Sequence, residues 1–248
     1  MTRSKWLAGL VLGALVAVPA SADKVLTLAQ HTDAMTMMGH TTPAKDAVHE
    51  YWFGDQGLRY DMGDTTVILR LDAKKFYMVN NTEKTYSVMD LPLDLKKLVG
   101  PEMAPMMDQM MKMMAATVTV TPSERTGNYA GFACKFSRVT IKMSMMELNS
   151  DECLTDTLPI DYSRYKSLVE SQSQLSMNSQ WMKDLVEKVH GFPVYTESTT
   201  TMMGKSFGSR QELKSIEERP ASVGLYEPPA GYREVQYDPM KPQTGGKK

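Results

Sequence analysis

The sequence predicts an α+β fold in which an antiparallel β-sheet carries helices against one face. Three observations predict it. Strand-like runs of five to seven residues, rich in aromatic and β-branched types, recur between short Gly/Asp turns over residues 24–90. The same texture returns at 115–143 and again at 193–217. Between these blocks, 94–114 and 160–190 space their apolar residues for helices instead. Strands, helix, strands, helix, strands is the order of one sheet with its helices segregated to a side.

The first residues, MTRSKWLAGLVLGALVAVPASA, pair basic Arg3 and Lys5 with an apolar run ended by Pro19 and a small-residue Ala20-Ser21-Ala22 site. That is the pattern of a secretory signal peptide, with an apolar core too short for a stable membrane span. Cleavage is expected after Ala22, giving an exported, periplasmic chain, and no cysteine follows there to take a lipid anchor. Removing the leader leaves 26 basic and 29 acidic groups, a formal charge of −3. So near a balance gives no electrostatic reason to bind nucleic acid. No later stretch has the ~18 unbroken apolar residues of a membrane helix.

From Lys24 the strands are expected in a meander. AVHEYWF at 47–53 turns through GDQG into LRYDM, and Gly63-Asp64 leads to TTVILRL. Asp72-Ala73-Lys74 turns into KFYMVN, and Asn81-Thr82-Glu83-Lys84 turns into TYSVMD. Phe76 and Met78 alternate with Tyr77 and Val79, and both sets are apolar, so these strands should be covered on both faces.

Residues 94–114 change character. Asp94 can cap a helix ending near Gly100, and Pro101 with Glu102 suits the first turn of a second. The run PMMDQMMKMM (105–114) holds six of the chain's 22 methionines. On a helix, Met103, Met106, Met107, Met110, Met111, Met113 and Met114 share one arc of roughly 160°. Asp108, Gln109 and Lys112 lie outside it. Such a face can pack permanently, cover a groove for an apolar ligand, or offer soft sulfur to Cu(I).

Strands return with ATVTVTP and CKFSRVTIKM. The two cysteines, Cys134 and Cys153, are expected to pair, as exported chains with an even count usually do. The closed loop of ~20 residues is worth roughly 3 kcal/mol in the chain-entropy model and would clamp a hairpin across its strands. A helix over about 160–190 comes next, interrupted or weakened near 171–178. Its stripe is Tyr162, Tyr165, Leu168, Val169, then Trp181, Met182, Leu185 and Val189, and Gly191 with Pro193 stops it. Strands are expected at 193–202 and 206–217. The Pro/Gly/Lys-rich tail 237–248 reads as disordered, leaving one domain at 23–236.

Catalytic patterns are sparse. GKSFG at 204–208 has the letters of a hydrolase elbow, but no histidine follows His190 to complete that order of residues. A phosphate loop would need glycine at 199, where Thr199 stands. His31, His40, His49 and His190 make no H-E-x-x-H. No enzyme is expected, and no cofactor. The alternative metal reading is copper at Met35, Met37, Met38 and His40, since thioether sulfur selects Cu(I) over zinc or magnesium.

Several stretches carry a resemblance: EYWFGDQGLRYDMG (50–63), ILRLDAKKFYMVNNTEKTYSVMDLP (68–92), GNYAGFACKFSRVTI (127–141) and SVGLYEPPAGYRE (222–234). Together they resemble an exported bacterial family known only as domain of unknown function 4412, similar in outline to periplasmic lipoprotein-carrier proteins. The resemblance implies a curved antiparallel half-barrel with helices on its concave face. It brings no catalytic residues to carry over. The expected function is therefore a non-enzymatic carrier for an apolar small molecule, lipid or lipoprotein acyl chain, with the seven arc methionines lining the groove. A structural envelope protein is the remaining alternative.

Overall fold

The structure, a computed structural model, describes residues 22–37, 39–93, 116–175 and 179–238. Residues 1–21 of the expected leader, Met38, the helices expected at 94–114 with the methionines Met103 to Met114 expected to line a groove, and the tail from 239 lie outside the described residues. So do the side chains of Met37, Trp181 and Met182.

The N-terminal strand β1 (Asp23–Thr32) is followed by a small hairpin, β2 (Met35–Met37) and β3 (His40–Thr42). A five-strand meander comes next: β4 (Lys45–Phe53), β5 (Leu58–Asp61), β6 (Thr65–Arg70), β7 (Lys75–Asn80) and β8 (Thr85–Asp90). A second meander comprises β9 (Thr117–Tyr129), β10 (Phe132–Lys142) and β11 (Met146–Thr155). Helices α1 (Tyr162–Leu175) and α2 (Ser179–Lys188) precede β12 (Phe192–Met202) and β13 (Lys205–Arg219), which continue the second meander, and the short β14 (Arg233–Glu234) follows.

Among the described residues, twelve strands form one open sheet in the order β14-β8-β7-β6-β5-β4-β1-β13-β12-β11-β10-β9. Every pairing is antiparallel except β14 on β8. The two meanders meet at β1, which takes β4 on one side and β13 on the other. The N-terminal strand is thus the central seam. Its apolar Val25, Leu26 and Leu28 are at most 1% exposed.

The main core joins residues from both meanders: Leu26 and Leu28 of β1, Tyr60 of β5, Phe76 of β7, Phe192 of β12 and Leu213 of β13. Leu168 of α1 belongs to the same cluster. The other face of the first meander is covered too. Ile68 and Val79 pack with Tyr226 from the segment after β13, as the doubly apolar alternation of β7 predicts. A third cluster holds Val118, Val139 and Ile141 against Leu185 and Val189 at the end of α2.

The predicted disulfide is present. Cys134 and Cys153 bond with their Cα atoms 5.3 Å apart, fastening β10 to β11. The helix predicted over about 160–190 is two helices, divided within the stretch where an interruption or weakening was expected, and the last strand pair extends a residue or two past its predicted limits. Tyr237, expected at the start of the tail, is only 8% exposed and belongs to the main core. The fold is dominated by its sheet. No helix among the described residues is long and apolar enough to cross a membrane.

Candidate functional site

Cross-strand registry lays two neighbouring rows across the sheet, on opposite faces. One runs Asp46, His31, Arg210, Glu197, Asp151, Arg138. It is charged and mostly exposed. Arg138 grips Asp151 with Nε and Nη2 at 2.8 and 2.9 Å. His31 sits 2.7 Å from Asp46, whose carboxylate raises the imidazole pKa.

The adjacent row runs Gln30, Gln211, Thr196, Glu152, Ser137. All five are half-buried. They put polar groups on the face that also carries Leu28, Leu213 and Tyr60. Within it, Glu152 of β11 has Ser150 Oγ donating to its Oε1 at 3.3 Å. Burial pushes its carboxyl up to about 7, and the Ser150 bond only partly opposes that.

The helices bring the rest of the site. Asp161 caps α1, accepting the backbone N–H of Ser163 at 3.0 Å, and its carboxylate is held low chiefly by the Ser163 hydroxyl. Positions 162, 165, 168 and 169 then share one face of the helix. Tyr162 Oη accepts the Gly191 N–H at 3.2 Å and donates to the Val189 carbonyl at 3.5 Å, stapling the end of α2 to the start of β12. Arg164 donates to the Gly54 carbonyl, and Lys188 Nζ to the Val118 carbonyl at 2.9 Å. These contacts anchor both helices to the sheet.

Between the helices and β11–β12 lies a cavity of about 140 Å³. Its apolar walls include Val169, Leu185, Val186 and Val189, and its polar lining residues are Glu152, Lys166, Tyr162 and Tyr165. Tyr165 links it to an aromatic pile. Its ring centroid is 4.8 Å from Phe192 and 6.3 Å from Tyr51, and Tyr51 stacks on Tyr60 at 3.9 Å. Tyr60 Oη lies 2.9 Å from Nδ1 of His49, a side chain that burial holds below its usual pKa. Burial also raises the phenols of Tyr51, Tyr60 and Tyr165. At neutral pH the tyrosines are neutral hydrogen-bonding groups, and Glu152 sits near its own midpoint. The arrangement can accept or donate a hydrogen bond to a small polar head at the end of an apolar cavity.

The sequence-predicted residues fall elsewhere. Positions 35, 37 and 40 share a face of the β2–β3 hairpin, because Met37 is registered with His40 and Met35 with Thr42. His40 is exposed. Ser206 stands in β13 with its hydroxyl 2.8 Å from that of Thr201, in a strand hairpin rather than a strand-to-helix turn. Among the described residues, no three His, Cys, Asp or Glu side chains are grouped to hold a metal ion. Glu152 was missed in the sequence. The one signal for it is parity: Leu148, Ser150, Glu152 and Leu154 alternate with Asn149, Asp151 and Cys153.

Comparison with known families adds one match, to a family described as a domain of unknown function (DUF4412), over residues 32–232. No curated protein matches the chain.

Proposed function

The chain belongs to the DUF4412 family, and we propose that it is a non-enzymatic periplasmic carrier that shelters an apolar ligand, a lipid or lipoprotein acyl chain. The observation that carries this reading is the mostly apolar cavity under α1 and α2, with the Glu152 carboxyl raised to about 7, Lys166 and two tyrosines as its polar lining. Ligand pockets combine apolar walls with a few placed polar groups in this way.

The cavity's 140 Å³ is close to the engineered apolar cavity of ~150 Å³ that takes benzene. It is less than half the ~300 Å³ at which drug-sized pockets begin. It therefore holds a ring or a few methylenes, and a whole acyl chain requires the helices to part from the sheet. The groups that would yield are the Tyr162, Arg164 and Lys188 contacts, each a hydrogen bond worth about 1 kcal/mol net.

A half-barrel with the helices in its concavity is part of this proposal. Tyr165 supports it. Its ring touches Tyr51 on β4 while it lines one cavity with Glu152 on β11. Those strands are four places apart in the sheet. Flat, they would stand about 19 Å apart at ~4.8 Å per strand, more than one tyrosine spans.

Native mass spectrometry of protein purified from a bacterial periplasm, with titration of a fluorescent fatty acid, tests the proposal. A co-purifying lipid and saturable binding weakened by filling the cavity with Val169→Trp are expected. An empty protein with no saturable binding overturns it.

A further inference from the structure

Five methionines outside the 103–114 run, Met143, Met145, Met146, Met202 and Met203, gather at one end of the sheet. There β10 turns into β11 through Met143, Ser144, Met145 and Met146, and β12 turns into β13 through Met202 and Met203. Within this group, three positions are aligned. The Met143 N–H donates to the Met146 carbonyl at 2.8 Å, closing the two-residue turn, so these two face each other across the hairpin. Met146 is in turn registered with Met202 on β12. Registered residues on adjacent strands project from the same face with their Cβ atoms roughly 5 Å apart. Met143, Met146 and Met202 therefore form one row across three consecutive strands.

The row lies at the margin of packing, not inside it. All three are half-buried, while Met145 and Met203 beside them are 63% and 58% exposed. Met143 rests on the Val139, Ile141 cluster, which fixes one side of the row. An unbranched side chain with three rotatable bonds can bring its sulfur several ångströms sideways, so three from adjacent strands can meet at one point. We propose that Met143, Met146 and Met202 form a three-thioether site for Cu(I). The donor set decides the metal: three soft, uncharged sulfurs favour Cu(I) and give hard or borderline divalent ions no charge to bind. Binding exchanges no electrons, since the ion enters and leaves as Cu(I). This site is separate from the Glu152 cavity, and neither proposal depends on the other.

Packing alone would equally use three apolar side chains here, and leucine separates the two explanations. The full chain carrying Met143→Leu, Met146→Leu and Met202→Leu keeps the apolar volume and loses every sulfur of the row. Titration with Cu(I) against a competing chelator under reducing conditions should show one equivalent fewer than the parent protein. A second chain, Met35→Leu, Met37→Leu, Met38→Leu and His40→Ala, should retain that equivalent. In the parent, Ag(I), a redox-inert substitute, should shift the methyl resonances of Met143, Met146 and Met202 together. An unchanged Cu(I) stoichiometry in the triple-leucine chain overturns the proposal. So does an Ag(I) titration that leaves those three resonances in place.

Discussion

At the residue scale, Glu152 is where burial and charge conflict. A carboxyl displaced from 4.5 to about 7 prefers its neutral form in the folded protein. The folded state therefore holds the proton more tightly than the unfolded chain. Ionisation carries no folding penalty below pH 4.5, a growing one up to about 7, and the full one above it. That displacement is worth up to about 3 kcal/mol. His49 acts the other way: its lowered pKa costs stability as pH falls through 6.5. Replacing Glu152 with Gln keeps the shape and removes only the titration. Denaturant unfolding should find Glu152→Gln more stable than the parent at pH 8, with the gap closing at pH 4.5. Equal differences at both pH values would refute the assignment. The sequence marked this residue only faintly, because in MELNSDECLT the apolar Met146, Leu148 and Leu154 share its parity but Ser150 interrupts them and buried Cys153 falls on the other. Cys134 and Cys153 were legible, since an even cysteine count in a chain expected to be exported implies their bond.

At the element scale, the strands could be read from turn chemistry. Lys74, Lys84 and Ala130 take positive φ at hairpin turns, two of them in Asp/Asn-led turns that announce the strands beside them. The helix at 160–190 was legible as one stripe, but its division into two was visible only as a loss of apolar residues near 171–178. The entry into β12 after α2 depends on Gly191, which has φ +101° and stands where an added Cβ would meet the Thr155 carbonyl oxygen at 2.7 Å. Gly131 has a similar φ of +86° but open space around it. Gly131→Ala should therefore cost only the backbone strain, about 1–3 kcal/mol. Gly191→Ala incurs that strain and must also push β12 from β11, with the Tyr162 staple beside it. Urea midpoints of the two variants, compared at unchanged slope, check this. A Gly191 variant no less stable than the Gly131 variant would remove the close approach from the account.

At the scale of the whole molecule, the chain closes on itself at two seams that no local pattern specifies. β1 pairs with β13, and β14 lies parallel on β8. A strand's partner depends on what the rest of the chain leaves unpaired, so the sequence showed the meanders but not how they join. The second seam is held by particular groups. Tyr226 Oη donates to buried Asp23, 203 residues away in the chain, and Arg59 donates to the Leu225 carbonyl at 2.9 Å. The Arg233 and Val235 N–H groups donate to Lys84 and Tyr86 at 3.0 and 2.8 Å. Ending the chain after Arg219 keeps β1–β13 and removes all of these. It uncovers Ile68 and Val79, strips Tyr237 from the main core and leaves β8 an unpaired edge. Losing one buried aromatic side chain costs about 3–5 kcal/mol, against a total stability of about 5–15 kcal/mol for a typical domain. Losing Tyr226 and Tyr237 together consumes most of that margin, and the bare edge invites pairing between molecules. The shortened chain should bind a hydrophobic dye, elute as oligomers in gel filtration and lose cooperative melting. A monomer melting within a few degrees of the full chain would show that the first meander stands without its clasp.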